Sequence, residues 1–81
     1  MSMETFTQVH RDVLRKPDLV LTPEMTARDV DTWDSMAHIN LILAIETAFD
    51  VRLEMDVIAN IRNVGDMVTH LNSQGHDIQW P

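Results

Sequence analysis

The residues of this 81-residue chain best suited to chemistry are Asp34 and Ser35, which stand immediately before a long apolar segment. Asp and Ser are common N-cap residues, so helix capping alone would account for the pair. The same position also exposes a serine hydroxyl beside the unpaired N–H groups and the positive dipole end of a helix, which favour an anion. A phosphoester attached to Ser35 would therefore be well placed.

Histidines and acids elsewhere offer weaker candidates. His38 lies three residues after Ser35, but a hydrolytic pair also needs an oxyanion hole and a substrate cleft, for which so short a helical chain leaves little room. Asp66 and His70 lie one helical turn apart, and two ligands do not make a metal site. His10 falls in an apolar stripe and is expected to be a partly buried, hydrogen-bonded core residue rather than a ligand. We expect no catalytic residue and no metal.

Apolar periodicity predicts helices at both ends of the chain. The first pattern covers residues 4–15, where Thr5 and Gln8 have the spacing of a capping box and Pro17 follows as a stop signal. The last helix is predicted to begin after Asn63, which can cap it, and to stop at Gly75.

The strongest helix prediction is residues 35–49, in which ten of the fifteen residues are apolar. These residues cover most of the helical circle, so we expect a central helix covered on several sides rather than a surface helix with one buried stripe. A brief helix is predicted over residues 55–60. The predicted fold is all-α, a small bundle of three main helices plus a short one.

A long first loop, residues 17–34, separates the first two main helices. Thr22-Pro23-Glu24 is predicted to cap one helical turn within it. Trp33, at its end, is interpreted either as a core anchor or as a surface for ligands and partners. The loop holds five acids and one base and therefore carries −4 of the net charge of −7; the acids are Asp18, Glu24, Asp29, Asp31 and Asp34.

Composition limits the remaining classes. A net charge of −7 argues against nucleic acid and anionic lipid as partners. No cysteine is present, no apolar run approaches the ~20 residues of a membrane span, and no secretory signal is visible. We expect one domain over residues 1–81, monomeric and cytoplasmic, with a frayed tail at 74–81 unless Ile78 and Trp80 fold back.

Several segments at fixed distances resemble the acyl carrier protein family. In that family, Asp-Ser-Leu or Asp-Ser-Met opens the second helix, a Glu and a Phe-Gly pair close it, and a Val-Gly-Asp segment opens the last helix. The resemblance covers residues 3–71. It rests on Asp34-Ser35-Met36, Ile39, Leu43, Glu46, Phe49-Asp50-Val51 and Asn63-Val64-Gly65-Asp66-Met67.

The resemblance implies a carrier protein that is not itself an enzyme. Ser35 would bear 4′-phosphopantetheine, transferred from coenzyme A by a phosphopantetheinyl transferase, and the arm's thiol would hold an acyl group as a thioester. Asp34 and Met36 would belong to the surface that the transferase recognises. Acyl-activating ligases or synthase enzymes would be the other partners.

Partner recognition is expected to depart from the family pattern. Before Asp50, the second helix has only Glu46 as an acid, and His38 stands where charge is common in the family. We therefore expect partners to depend more on Asp29 and Asp31 of the first loop than on Glu46, with His38 tuning the contact. This pattern suits a free-standing carrier in a specialised pathway of the fatty-acid or polyketide type.

Two alternatives remain open from the sequence. The first is an aminoacyl or D-alanyl carrier, because Asp-Ser-Met also occurs in D-alanyl carriers. The second is an acidic helical docking domain that receives no prosthetic group.

Overall fold

Four α-helices and one short 3-10 turn make up the computed structural model, which describes residues 2–81. No strand occurs in that range, so the predicted all-α bundle with a long first loop is confirmed. No helix in the same range is long and apolar enough to cross a membrane. The elements are α1 (Ser2–Leu14), the 3-10 turn (Ala27–Asp29), α2 (Ser35–Phe49), α3 (Met55–Asn60) and α4 (Val64–Ser73).

One apolar core joins the long helices. α1 packs against α2, and the ring of Phe6 meets the ring of Phe49 edge-on with 6.2 Å between centroids. α4 closes the core with residues spaced three and four apart, the period of one helix face. Its buried residues are Val64, Met67, Val68 and Leu71.

α1 begins earlier than the sequence predicts. The helix starts at Ser2, so Thr5 lies inside it and the predicted capping box is wrong. Gln8 instead donates from its side-chain amide to the carboxylate of Asp12, 2.8 Å away on the next turn. Met3 packs against the core, and this contact stabilises the turn that precedes Thr5.

α2 is a surface helix with one buried stripe, not the helix covered on several sides that its composition predicted. Leu41, Ile45 and Phe49, spaced four residues apart, are the buried positions. The opposite side remains in solvent because α1, α4 and the connections cover only one side. Met36, Ile39 and Leu43 are 66%, 54% and 56% exposed there; we call these three residues the apolar stripe.

Two hydrogen bonds between α1 and the first loop hold the start and the end of that loop. The side chain of Arg11 donates to the carbonyl oxygen of Leu19 at 2.8 Å, and the hydroxyl of Thr32 donates to the carbonyl oxygen of Leu14 at 2.6 Å. Both bonds bring the loop back to α1, which fixes the approach of the chain to α2.

The middle of the loop is fastened to the start of α4. The backbone N–H of Gly65 donates to the carbonyl oxygen of Pro23 at 2.9 Å, and a Cβ on Gly65 would lie 2.8 Å from that oxygen. Only glycine therefore permits this approach without a shift of the loop. The predicted helical turn at Thr22-Pro23-Glu24 is wrong: a turn occurs there, and the 3-10 helix follows at Ala27–Asp29, capped by Thr26.

The C-terminal tail is packed rather than frayed. Ile78 is 2% exposed, and Trp80 lies against the same core. The side-chain amide of Asn72 donates to the carbonyl oxygen of Ile78 and accepts from its N–H, at 3.0 and 2.8 Å. Gly75, with φ of 100°, lets the chain reverse after α4.

The contrast between the two sides of α2 predicts a contrast in stability. We expect Ile45→Ala to lower the free energy of unfolding by roughly 2–5 kcal/mol, because Ile45 is fully buried. Leu43→Ala, two residues away on the exposed side, should lower it by less than about 1 kcal/mol. Urea denaturation of both variants measures the difference, and equal losses would mean that α2 is not rotated as described.

Candidate functional site

Ser35 is the first residue of α2, and its side chain is exposed. Asp34 is the N-cap: its carboxylate accepts the backbone N–H of Ala37 at 2.8 Å. The capping function thus belongs to Asp34, which leaves the Ser35 hydroxyl outside the cap. The sequence interpretation of an exposed serine at a helix start agrees with this geometry.

The start of α2 is electrostatically suited to a phosphate. The first backbone N–H groups of a helix have no partner one turn earlier, and the helix dipole is positive at this end. α2 is fifteen residues long and has no acid in its first turn, so among residues 34–38 only the N-cap Asp34 carries a carboxylate. A phosphodiester on the Ser35 oxygen therefore fits the residues present, with the Asp34 carboxylate already engaged by Ala37.

Trp33 holds the ring of His38. The indole N–H of Trp33 donates to Nδ1 of His38 at 3.2 Å, and the two rings stack with 6.2 Å between centroids. His38 is thus committed to Trp33 through Nδ1, and no hydrogen bond joins it to Ser35 in the described part of the chain. The geometry does not assemble the hydrolytic pair that the spacing of Ser35 and His38 suggests.

A cavity of about 100 Å³ opens beside these two rings. Its lining includes Trp33 and His38, which flank Ser35 in the sequence, and the exposed residue Arg62. Buried apolar residues of α2 and α4 form much of the remaining wall, namely Leu41, Ile45, Val64 and Met67.

His10 is the one buried polar or charged residue within residues 2–81, at 2% exposed, and it lines the same cavity. Its Nδ1 lies 2.8 Å from the carbonyl oxygen of Phe6, one turn earlier in α1. Desolvation by burial lowers the pKa of His10 from 6.5 to about 4, although the bond to Phe6 opposes the shift. The ring is therefore neutral near pH 7, as a buried, hydrogen-bonded histidine.

The acids expected to contact partners also stabilise the fold locally. Asp29 accepts the backbone N–H of Thr26 at 2.9 Å in the capping box of the 3-10 turn. Asp31 pairs with Lys16 at 2.8 Å, and hydrogen bonding and charge from Lys16 lower the pKa of Asp31. Both side chains remain exposed, so both can still act on a partner's field.

Glu46 differs from the loop acids. Its carboxylate accepts the backbone N–H of Leu53 at 2.9 Å, and its side chain is half-buried. This bond fixes the connection between α2 and α3. Glu46 therefore differs from the exposed acids of the first loop, because it holds the connection after α2 and is less accessible to a partner.

Asp66 and His70 do not form a metal site with a third ligand. The carboxylate of Asp66 accepts the backbone N–H of Arg62 at 3.0 Å, and this bond is the largest cause of the lowered pKa of Asp66. No group of three His, Cys, Asp or Glu residues suited to a metal ion occurs within residues 2–81.

Sequence reasoning missed two parts of the site. The sequence does not separate the apolar stripe from the core, because apolar residues lie all round α2. The three stripe residues are nevertheless spaced three and then four residues apart, starting from Met36. The cavity depends on how α1, α2 and α4 meet, which no local pattern encodes. His10 lay in the correct stripe of α1, but nothing in the sequence placed it near Trp33, whose ring centroid is 6.0 Å away.

Two comparisons with known proteins agree with this geometry. A family model described as "Phosphopantetheine attachment site" matches residues 4–71. The chain is also similar to the solution NMR structure of holo acyl carrier protein from Geobacter metallireducens, with 27% sequence identity and a TM-score of 0.82. That similarity covers 96% of this chain and 97% of the other.

The buried state of His10 predicts a specific loss of stability in acid. The unfolded state takes up a proton near pH 6.5 and the folded state only near pH 4, so the unfolded state binds more protons between these values. His10 therefore does not reduce the free energy of unfolding well above pH 6.5. It reduces that free energy progressively as the pH falls from 6.5 toward 4. Between pH 7.5 and 5, His10 should account for about 2 kcal/mol of lost unfolding free energy.

The matched measurement compares the wild type with His10→Leu by urea denaturation at both pH values. The other three histidines are the same in both proteins, so the difference isolates His10. The same loss of stability in both proteins would contradict a neutral, buried His10.

Proposed function

The chain belongs to the phosphopantetheine attachment site family, and from this membership we propose that it carries an activated acyl group on Ser35. Its prosthetic group is 4′-phosphopantetheine, which comes from coenzyme A. When bound, this group supplies the thiol that holds the acyl cargo as a thioester. Attachment at Ser35 is the proposal, and the exposed position of that serine at the start of α2 is the observation that carries it.

The residues around Ser35 suit attachment in three ways. Asp34 caps α2 and leaves the Ser35 hydroxyl accessible to another enzyme. The N–H groups and dipole of the first turn stabilise the phosphodiester once it is formed. Trp33 and His38 hold each other on either side of Ser35, which makes the attachment point part of a rigid surface.

Carrier proteins of this kind are not catalysts and work with a phosphopantetheinyl transferase and with synthase enzymes. In this proposal, the transferase deprotonates the Ser35 hydroxyl. We propose an acyl-activating ligase or a synthase as the further partner, and a monomeric, cytoplasmic carrier remains the prediction from the sequence.

We propose that the pathway is a specialised one of the fatty-acid or polyketide type. The support is the surface of α2, where the apolar stripe takes the place of exposed acids. An aminoacyl or D-alanyl carrier is the alternative, because the motif Asp34-Ser35-Met36 is compatible with both classes. A docking domain that receives no prosthetic group is disfavoured by the family match over residues 4–71.

Partner enzymes, in this proposal, contact two adjoining surfaces. The exposed carboxylates of Asp29 and Asp31 supply the negative field that attracts a basic partner. Glu46 contributes less, because its half-buried carboxylate is bound to the backbone of Leu53. The stripe residue Ile39 lies one helical turn beyond Ser35 and offers apolar area to bury.

Attachment is tested by Ser35→Ala. We expect this variant to gain no mass when incubated with coenzyme A and a broad-specificity phosphopantetheinyl transferase, while its unfolding free energy stays within about 1 kcal/mol of wild type. The stability expectation follows from the cap, which is Asp34 and stays intact. Intact-protein mass spectrometry and urea denaturation measure the two effects.

Ser73→Ala is the matched control, because Ser73 is another exposed serine, in the last turn of α4. It should load like the wild type. Loading of Ser35→Ala would contradict the assignment of Ser35. Failure of the folded wild type to load would favour the docking domain without a prosthetic group.

The two-surface proposal predicts separable kinetic effects on partner binding. Asp29→Asn with Asp31→Asn should slow association several-fold at low salt, because exposed charges act mainly on the rate of encounter. The effect should shrink as salt shortens the screening length to ~8 Å at physiological ionic strength. Ile39→Ala should instead speed dissociation, since it removes buried apolar contact. Stopped-flow titration with the transferase measures both rates.

Glu46→Gln is the control for charge, because the amide oxygen can still accept the N–H of Leu53. The asparagine substitutions likewise keep the acceptor oxygens at positions 29 and 31. If Glu46→Gln slowed association as much as the double loop variant does, partner binding would depend on the charge of α2 after all.

A further inference from the structure

The cavity beside Ser35 contains an unused hydrogen-bond acceptor. The distance of 2.8 Å between His10 Nδ1 and the carbonyl oxygen of Phe6 requires the proton to be on Nδ1, because a carbonyl oxygen only accepts. In a neutral ring, Nε2 is then unprotonated and carries a lone pair. His10 is only 2% exposed, so this lone pair lies within the protein rather than at its outer surface.

The Nε2 lone pair faces the cavity. No side-chain nitrogen or oxygen in residues 2–81 is sealed away without a partner, and Nε2 has no hydrogen-bond partner within that range. It must therefore reach open space, and the space that His10 lines is the cavity of about 100 Å³. A hydrogen-bond acceptor that has no donor in an apolar pocket destabilises the folded protein.

Within residues 2–81, no group donates a hydrogen bond to Nε2 of His10. The indole N–H of Trp33, which lines the same cavity, is given to Nδ1 of His38 instead. The rest of the wall near His10 is mainly apolar, from Leu41, Ile45 and their neighbours on α4. A donor for Nε2 of His10 therefore comes from water or from another molecule that enters the cavity.

The position and the volume of the cavity limit which group can enter it. Trp33 and His38 line the cavity two residues before and three residues after Ser35, so its near end lies within one helical turn of the proposed attachment point. A cavity of 100 Å³ is smaller than the 150 Å³ apolar cavity that holds benzene, and liquid water occupies about 30 Å³ per molecule. It accommodates roughly three to five non-hydrogen atoms.

We propose that His10 selects the cargo: the carrier holds a short hydroxyacyl group whose hydroxyl donates to Nε2 of His10 in this cavity. The inference rests on the proposed function, since the cargo must hang from Ser35. An unsubstituted acyl chain would fill the apolar volume and leave the lone pair unmet. A charged ammonium group would lose its hydration on entering the apolar pocket, which disfavours an aminoacyl cargo.

The experiment compares cargoes that differ in one substituent. The transferase loads the carrier from the coenzyme A thioesters of butanoate, its 2-, 3- and 4-hydroxy derivatives and 3-aminobutanoate, and mass spectrometry confirms loading first. Cleavage by hydroxylamine is then timed on the carrier and on each free coenzyme A thioester. The ratio of the two rates gives a protection factor that cancels the intrinsic reactivity of each thioester.

At least one hydroxybutanoyl isomer should be protected roughly three- to tenfold more than butanoyl on the wild type, the range expected for one hydrogen bond. His10→Leu should remove this excess and leave the butanoyl value nearly unchanged, because Leu keeps the apolar wall. His10→Gln, whose amide oxygen can accept, should restore part of it. Independently of the variants, the nitrogen-15 resonance of His10 Nε2 should shift with the hydroxylated cargo and not with butanoyl.

Three results would overturn the inference while leaving attachment at Ser35 intact. Butanoyl protection equal to or greater than that of every hydroxy isomer would show that the lone pair selects nothing. An undiminished excess in folded His10→Leu would place the selection elsewhere. Stronger protection of the aminobutanoyl group would point to an aminoacyl carrier. Failure of loading itself would instead reject the proposed function.

Discussion

The rotation of α2 about its own axis is the constraint on which the rest of the structure depends. Leu41, Ile45 and Phe49 pack on one side of the helix, and burial of this stripe fixes which way every other residue of α2 faces. The opposite side, with Ile39 and Leu43, is then necessarily in solvent. A rotation by one residue would carry each side chain through 100° and exchange buried with exposed positions.

The first loop is ordered by contacts that also fix the start of α2. Thr32 is bonded to the end of α1, and Trp33 packs against the core while its N–H binds His38. Asp34 then caps the helix. Three consecutive residues are thus held by three different partners, and the chain reaches Ser35 with little freedom. Because these contacts order the loop when the protein folds, part of its conformational entropy is already lost before a partner binds.

Local chemistry explains what could be predicted from the sequence. The cap by Asn63, the short helix over 55–60 and the exposed serine after Asp34 depend on residues within one turn, and all three are confirmed. The spacing of the motifs around Ser35 carried the family resemblance. The fold class followed from the number of apolar patterns separated by stop signals.

The parts that could not be predicted depend on contacts between distant segments. Ten apolar residues spread round α2 give no preferred face, so the choice of Ile45 rather than Leu43 for the core is made by the other helices. The packed tail depends on the side chain of Asn72 matching both backbone groups of Ile78. The cavity, likewise, exists only where α1, α2 and α4 meet beside the loop.

A buried histidine in this core is unfavourable as a structural residue. Its desolvation lowers its pKa to about 4, so the folded state resists protonation that the unfolded state accepts, and a leucine would fill similar space without this penalty. The bond to Phe6 satisfies only one of the two ring nitrogens. In this proposal, the second nitrogen serves the cavity side of α2, where cargo is held, while the apolar stripe on the outer side meets partners. Ser35 is the first residue of the helix that contributes to both surfaces, so in this proposal an arm attached there can reach the cavity or a partner.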